Sequence, residues 1–441
     1  MLNTILSQSE EIPLLDSKAI TKIQSIILIA IIVAAAVGGA AYVLWDDERQ
    51  SSDTIKIGVL GDLDHPYGEQ DYEGVTLAVE QINDEGGLLG RQVEIFGEDD
   101  DGGLDPVITS NALNRLISYR NVDFIIGVGS LTIQEIIAQH KKIFISTLGT
   151  EMCEQRVLDN YEKYKYYFSP SFNSTSFRVR MINSLLNLRD VTGFNKIGLL
   201  GLDVESTRAI METVDTSLSQ KGFEVVYKNF FPPGTIDFSS YFAAAEAAGV
   251  ETLLPIMGVE YIQFVKEYYD RQSPIFIFGG ILGDLTNPEA WSYTDGKCED
   301  VCAAGQAIAA GYPLTNKTLA TKQAYIDRGF EAHLTVVAYD AMRFILADAI
   351  KRAGTIETES VIKALEETSV ETSAAKNFTF TKSHAVMMGA DPNDPKADYM
   401  LDMLFQWQNG KLVPVYPKAI MEEAGATYTF PDWPGPWDNI S

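Results

Sequence analysis

The chain has 441 residues, 46% of them apolar and 22% charged, enough to bury a large core as one two-lobed unit or two domains. This composition excludes disordered, collagen-like and multi-span membrane classes. Basic side chains number 34 and acidic ones 61, a net charge of −27, so the surface repels phosphate backbones and nucleic acid is not an expected partner. Three Cys and four His far apart in sequence support neither a disulfide framework nor a zinc site.

From Ile26 to Leu44 runs an unbroken stretch of 19 apolar, Gly and Tyr residues, close to the ~20 a helix needs to cross a bilayer. Lys18 and Lys22 precede it, and Asp46, Asp47 and Glu48 follow it. The positive-inside rule then predicts a cytoplasmic tail (1–22), a transmembrane anchor (23–45) and an extracellular body at the cell membrane. A cleaved secretory signal is the competing reading, with small residues from Ala34 to Ala41, but the run exceeds the usual ~7–15 residues. The stretch KAIT at 18–21 resembles the processing site of archaeal pilin-like signal peptides, where a cut after Ala19 leaves the hydrophobic helix in place. Residues 46–54 read as a polar linker. Sequons at Asn173, Asn316, Asn377 and Asn439 suit an exported chain.

Beyond the linker, short β-branched runs alternate with amphipathic stretches, the pattern of βα units around a parallel sheet. Strands are expected at 55–61, 92–98, 123–129 and 142–148, with helices beginning near Glu69, Pro106 and Leu131. A second set follows: a helix from about Thr175, a strand at 196–202, a helix to Lys221, a strand at 223–231, a helix near 238–248, a strand at 251–258, a helix from Val259 and a strand at 274–280. Helices are expected at about 315–329, 332–353 and 357–368. Asn409-Gly410, between two alternating runs, predicts a type I′ hairpin. The Pro- and Trp-rich tail 431–437 is expected to lie across a lobe without regular structure.

In open parallel sheets ligands bind beyond the carboxyl ends of the strands, which directs attention to the loops that follow them. Ser130 and Thr132 sit between a Gly-ended strand and a helix start, where hydroxyls and free backbone N–H groups can hold a carboxylate or simply cap the helix. Thr150 also follows a strand. Glu260 stands at a helix start, where it can meet a cation or only the helix dipole. Tyr67, next to Gly68, can stack on an apolar ligand part. No dinucleotide fingerprint, phosphate loop, nucleophile elbow or calcium loop occurs, so neither catalysis, a cofactor nor a metal is expected. Cys298 and Cys302, four apart and outside the membrane, are candidates for a local disulfide.

Four segments in order, IKIGVLGDL, EGVTLAVEQINDEGGLLGRQVEIFGEDD, FPPGTIDFSSY and VVAYDAMRFILADAIKRAG, resemble the type I solute-binding proteins of ABC transporters, the branched-chain amino acid and amide receptors. The resemblance runs from about Ile55 to Pro417. It implies an α/β fold of two Rossmann-like lobes joined by a hinge, with lobe I at 55–168 and 281–372 and lobe II at 169–280 and 373–441. By the same resemblance the aromatic-Gly pair of the first loop falls on Tyr67-Gly68, the hydroxyl after the third strand on Ser130, shifting to Leu131 or Thr132 with an uncertain gap, the ligand-carboxylate Thr on Thr150, and the ammonium partner on Glu260. Many members carry Tyr-Gly where this chain has Ser206-Thr207, which leaves Glu205 nearby and points to a more polar or cationic ligand. The expected function is capture of a small amino acid and delivery to an ABC permease and its ATPase. The alternatives are a urea or short-amide transport protein and an amino-acid-sensing ectodomain.

Overall fold

The computed structural model describes residues 54–63, 66–103, 105–283, 285–330, 336–389 and 399–440. The expected anchor at 26–44, the tail and all but the last residue of the linker lie outside the described residues. Among the described residues no helix is long and apolar enough to cross a membrane.

The first half builds a five-stranded parallel sheet from β1 (Ile55–Gly61), β2 (Val93–Asp99), β3 (Phe124–Gly127), β4 (Ile143–Ser146) and β5 (Tyr167–Phe168), in the order β2-β1-β3-β4-β5. Strands buried on both faces need continuous apolar runs, and β3 and β4 are buried at every position. Helices α1 (Pro66–Asp84), α2 (Pro106–Asn114), α3 (Leu131–His140) and α4 (Glu151–Asp159) connect them. The second half repeats this plan. After α5 (Ser174–Thr192), strands β6 (Lys196–Leu202), β7 (Glu224–Phe231) and β8 (Thr252–Met257) order as β7-β6-β8. Helices α6 (Glu205–Gln220), α7 (Ser239–Ala247) and α8 (Tyr261–Arg271) are the connections. The single strand expected at 274–280 is instead two short pieces, β9 (Phe276–Ile277) and β10 (Ile281–Leu282), which pair with opposite ends of β8. Gly279, at φ 77°, turns the chain between them.

A third, three-stranded sheet joins β11 (Cys302–Gly305) antiparallel to the hairpin β12 (Met403–Gln408) and β13 (Lys411–Tyr416). Asn409 and Gly410 both take positive φ, 51° and 71°, as a type I′ turn requires. The Trp-rich tail closes on the second half, with one short 3₁₀ turn at Pro436–Asn439. Trp433 donates its indole N–H to the Ser273 carbonyl at 2.9 Å and packs edge-on against Tyr268, so the indole gains both buried area and a polar partner.

Packing corrects the expected lobe boundaries. Leu282, Leu285, Val301 and Ala303, assigned by resemblance to lobe I, lie in the core of lobe II. Ala375, Phe378, Phe380 and Val386, assigned to lobe II, lie in the core of lobe I. The chain therefore makes its second and third crossings later than expected; at the second, β11 must reach the edge strand of the second sheet, where Gly280 bridges Ala303. Beside the first crossing, the Ser169 N–H donates to the His384 carbonyl and the Val386 N–H to the Ser169 carbonyl, both at 2.8 Å. These bonds tie the first crossing strand to the returning chain.

The disulfide expectation is also corrected. Cys298 and Cys302 carry free thiols, both wholly buried in the lobe II core. Between them Asp300 turns the backbone at φ 64°, and each thiol is taken up by the core as a small hydrophobe. Burial pushes the Cys298 thiol up to about 12 and Cys302 further above the ordinary range. Melting temperatures with and without a thiol reductant are expected to coincide; a drop of several degrees on reduction would contradict the free thiols.

Candidate functional site

In each sheet the direction of strand addition reverses beside its first strand, between β1 and β3 in one and between β6 and β8 in the other. Loops at such a switch point diverge and leave a crevice at the carboxyl edge. Residues following β3, β4 and β8 are therefore placed by topology at the two carboxyl edges.

In lobe I, Ser130 is the N-cap of α3: its Oγ accepts the Ile133 N–H at 3.3 Å, and Thr132 lies half-buried in the first turn. Thr150 heads α4 without capping it, and its hydroxyl donates to the Gly129 carbonyl at 3.3 Å. Gly129 in turn donates its N–H to Ser146 Oγ at 3.0 Å, and that hydroxyl donates to the Leu148 carbonyl at 2.6 Å. Ser130 and Thr150 are thus brought together on one frame, and the helix starts of α3 and α4 add their N-terminal partial charge. The frame depends on a glycine. A Cβ on Gly129 would meet the Tyr167 hydroxyl at 2.3 Å and Ser146 Oγ at 2.5 Å.

Tyr167 was not predicted for this site. Its hydroxyl is buried beside Ser146 and Thr150, and burial raises its phenol well above the ordinary range. In sequence it sits in a run of aromatic residues that reads only as core.

Asp71, on α1, is a second unpredicted group. It is 2% exposed and accepts a hydrogen bond from Thr147, while its Oδ1 has no partner. Burial raises its carboxyl to about 7, and the Thr147 bond opposes this in part. Because the folded value lies above the unfolded one, the folded chain holds this proton more tightly. The stability it contributes is complete below about pH 4 and is lost as the pH climbs toward about 7. Asp71→Asn is expected to flatten the fall of stability across that window, measured by urea denaturation at several pH values; an unchanged slope would contradict it.

In lobe II, Glu260 precedes α8 and is 9% exposed. Its Oε1 accepts the Gly234 N–H at 3.2 Å, whereas Oε2 is buried and has no protein partner. The loop after β7, not the dipole of α8 alone, therefore holds this carboxylate, and no side-chain capping bond forms. Sequence reading missed Gly234 because its role is a backbone N–H. An unpartnered buried carboxylate oxygen is costly and suits a cationic group of a ligand.

Tyr67 lies in the first turn of α1 and Glu205 in the first turn of α6, and their side chains lie outside the described residues. Among the described residues no group of three or more His, Cys, Asp or Glu is gathered to hold a metal.

The family model described as "Periplasmic binding protein" matches residues 54–391, and the chain belongs to that family. It is 24% identical over 380 residues to Leu/Ile/Val-binding protein homolog 3 of Brucella melitensis, covering 81% of this chain and 93% of that one. Leu/Ile/Val-binding protein homolog 7 of Brucella suis is 25% identical, with 89% and 96% covered. Among solved structures, the substrate-binding protein LivJ of Streptococcus pneumoniae, in complex with isoleucine, superposes with a TM-score of 0.64 at 17% identity, covering 83% of this chain and all of that one. A branched-chain amino acid ABC transporter structure from Silicibacter pomeroyi reaches 0.75 at 16% identity, over 86% and 100%. These superpositions show the two-lobed α/β fold.

Proposed function

We propose that this periplasmic binding protein captures a small, branched-chain-like amino acid between its lobes and delivers it to an ABC permease and its ATPase. The observation that carries the proposal is Glu260, a buried carboxylate with one oxygen fixed by Gly234 and the other unpartnered. Opposite charge chemistry stands in lobe I, where Thr150, Ser130 and two helix N-termini offer donors to a carboxylate. A zwitterion held by one lobe at each end binds a closed form better than an open one, so binding favours closure. Relatives called Leu/Ile/Val-binding proteins support the ligand class. The anchor at 26–44, with archaeal pilin-type processing after Ala19, completes the proposal by holding the body at the outer face of the membrane; the matched relatives named above are bacterial.

A calorimetric screen of the purified chain against amino acids, short amides and urea tests this reading. Amino acids are expected to bind and urea is not; the reverse order would replace the ligand class. Thr150→Val is expected to lower amino-acid affinity by about 0.5–1.5 kcal/mol, because one neutral hydroxyl among several donors is lost. No loss in the same titration would remove Thr150 from the contact set.

A further inference from the structure

We infer that a second small-molecule site lies beside the crossing strands, in a cavity of about 450 Å³ that takes a small zwitterion. Its size falls within the range of ordinary ligand pockets, ~300–1,000 Å³. Its walls come from three parts of the fold: Glu151 and Glu154 on α4 of lobe I, Val179 and Arg180 on α5 of lobe II, and Met388 and Asp402 on the returning chain. None of Ser130, Thr132, Thr150 or Glu260 lines it; Glu151, the residue after Thr150, does, so the two sites adjoin at the start of α4.

Its chemistry is set by two buried groups of opposite sign, each left incomplete by the protein. Glu154 is 5% exposed; its Oε2 accepts the Asn173 Nδ2–H at 2.6 Å, while Oε1 has no hydrogen-bond partner. The neighbouring Ser169 hydroxyl is buried against the same carboxyl. Arg180 is 2% exposed; Nε donates to Asp402 Oδ2 at 2.9 Å and Nη1 to the Gly279 carbonyl at 2.8 Å, while Nη2 has no partner. Buried polar atoms are rarely left so, and each here asks for its complement. An ammonium would complete Glu154, and a carboxylate would complete Arg180. Three carboxylates against one guanidinium disfavour a simple anion, and a simple cation would leave Nη2 unpaired. Because the walls belong to both lobes and to the crossing strands, an occupant biases the interlobe angle, and by linkage it alters affinity in the cleft.

The test titrates the purified chain calorimetrically with L-leucine, and with isoamylamine and isovalerate, which carry its ammonium and carboxylate separately. Wild type is expected to take two equivalents of leucine. Val179→Trp, which fills the cavity from the half-exposed face of α5 and spares the Arg180–Asp402 pair, is expected to take one. Glu154→Gln should weaken that second equivalent about tenfold, the change expected when a charge-assisted bond is lost, and each half-molecule should bind it more weakly than leucine. Leu158→Trp, on the opposite wall, serves if Val179→Trp does not keep the wild-type melting temperature. Glu260→Gln separates the sites, since the equivalent beside the crossing strands should survive it. Leucine binding that neither tryptophan variant alters would overturn this inference, and its loss in Glu260→Gln would at the same time uphold the cleft. Binding abolished by the tryptophan variants but not by Glu260→Gln would uphold this site and overturn the cleft. Absence of leucine binding overturns this inference too.

Discussion

Glu260→Gln is expected to weaken an amino-acid ligand by about 1.5–3 kcal/mol, roughly ten- to a hundredfold in affinity, the value of a charge-assisted hydrogen bond. The substitution keeps the size of the side chain and an oxygen to accept the Gly234 N–H, so the loop after β7 retains its anchor. What disappears is the charge on the unpartnered oxygen. A neutral amide should lose almost nothing, because it brings no ammonium. Calorimetry on both ligand types, with melting temperatures as a control on folding, checks this. Equal losses for both would assign Glu260 to holding the loop and not to recognition.

Arg180→Met should have the largest effect on stability, a loss of about 3–5 kcal/mol at neutral pH, as when one partner of a buried ion pair is removed. The Arg180 side chain is 1% exposed and that of Asp402 is 7% exposed; the guanidinium joins α5 to the Gly279 turn and to the start of the hairpin. Burial raises the Asp402 carboxyl to about 6, while Arg180 pulls it back down. Without the arginine the carboxylate is uncompensated, so the loss should shrink at about pH 5, where Asp402 takes a proton. The double variant Arg180→Met, Asp402→Leu should recover most of the stability, since the cost is the unpaired charge. Denaturant titrations at two pH values measure both effects. A loss under about 1 kcal/mol would mean that the pair contributes no more than a surface ion pair does.

Much of the fold was legible because each strand is a short apolar run bounded by turn residues. The strand expected at 196–202 matches β6 at both ends, and Asn409-Gly410 makes the predicted hairpin. Misplaced elements share a cause in tertiary pairing. The broken strand at 276–282 and the late crossings depend on which edge β8 and β11 reach, and no local periodicity records that. Cys298 and Cys302 have a spacing that permits a bridge, but burial in a core outweighs it, and burial is a property of the packed sheet.

The post-strand rule places Ser130, Thr150 and Glu260 at the carboxyl edges of the sheets, because parallel topology fixes where strands end. It could not locate Gly234, which acts through its backbone, Tyr167, which reads as core within an aromatic run, or Asp71, which lies inside a helix. Arg180 and Glu154 were unreadable for the same reason: their partners, Asp402 and Asn173, lie 222 and 19 residues away in sequence.

The most direct measurement is a crystal structure of the chain with bound L-leucine. The ligand is expected between the lobes, its ammonium within hydrogen-bond reach of Glu260 Oε2 and its carboxylate at Thr150 and the N-termini of α3 and α4. Leucine in the cleft with its ammonium on a different acidic group, or with its carboxylate toward lobe II, would contradict it.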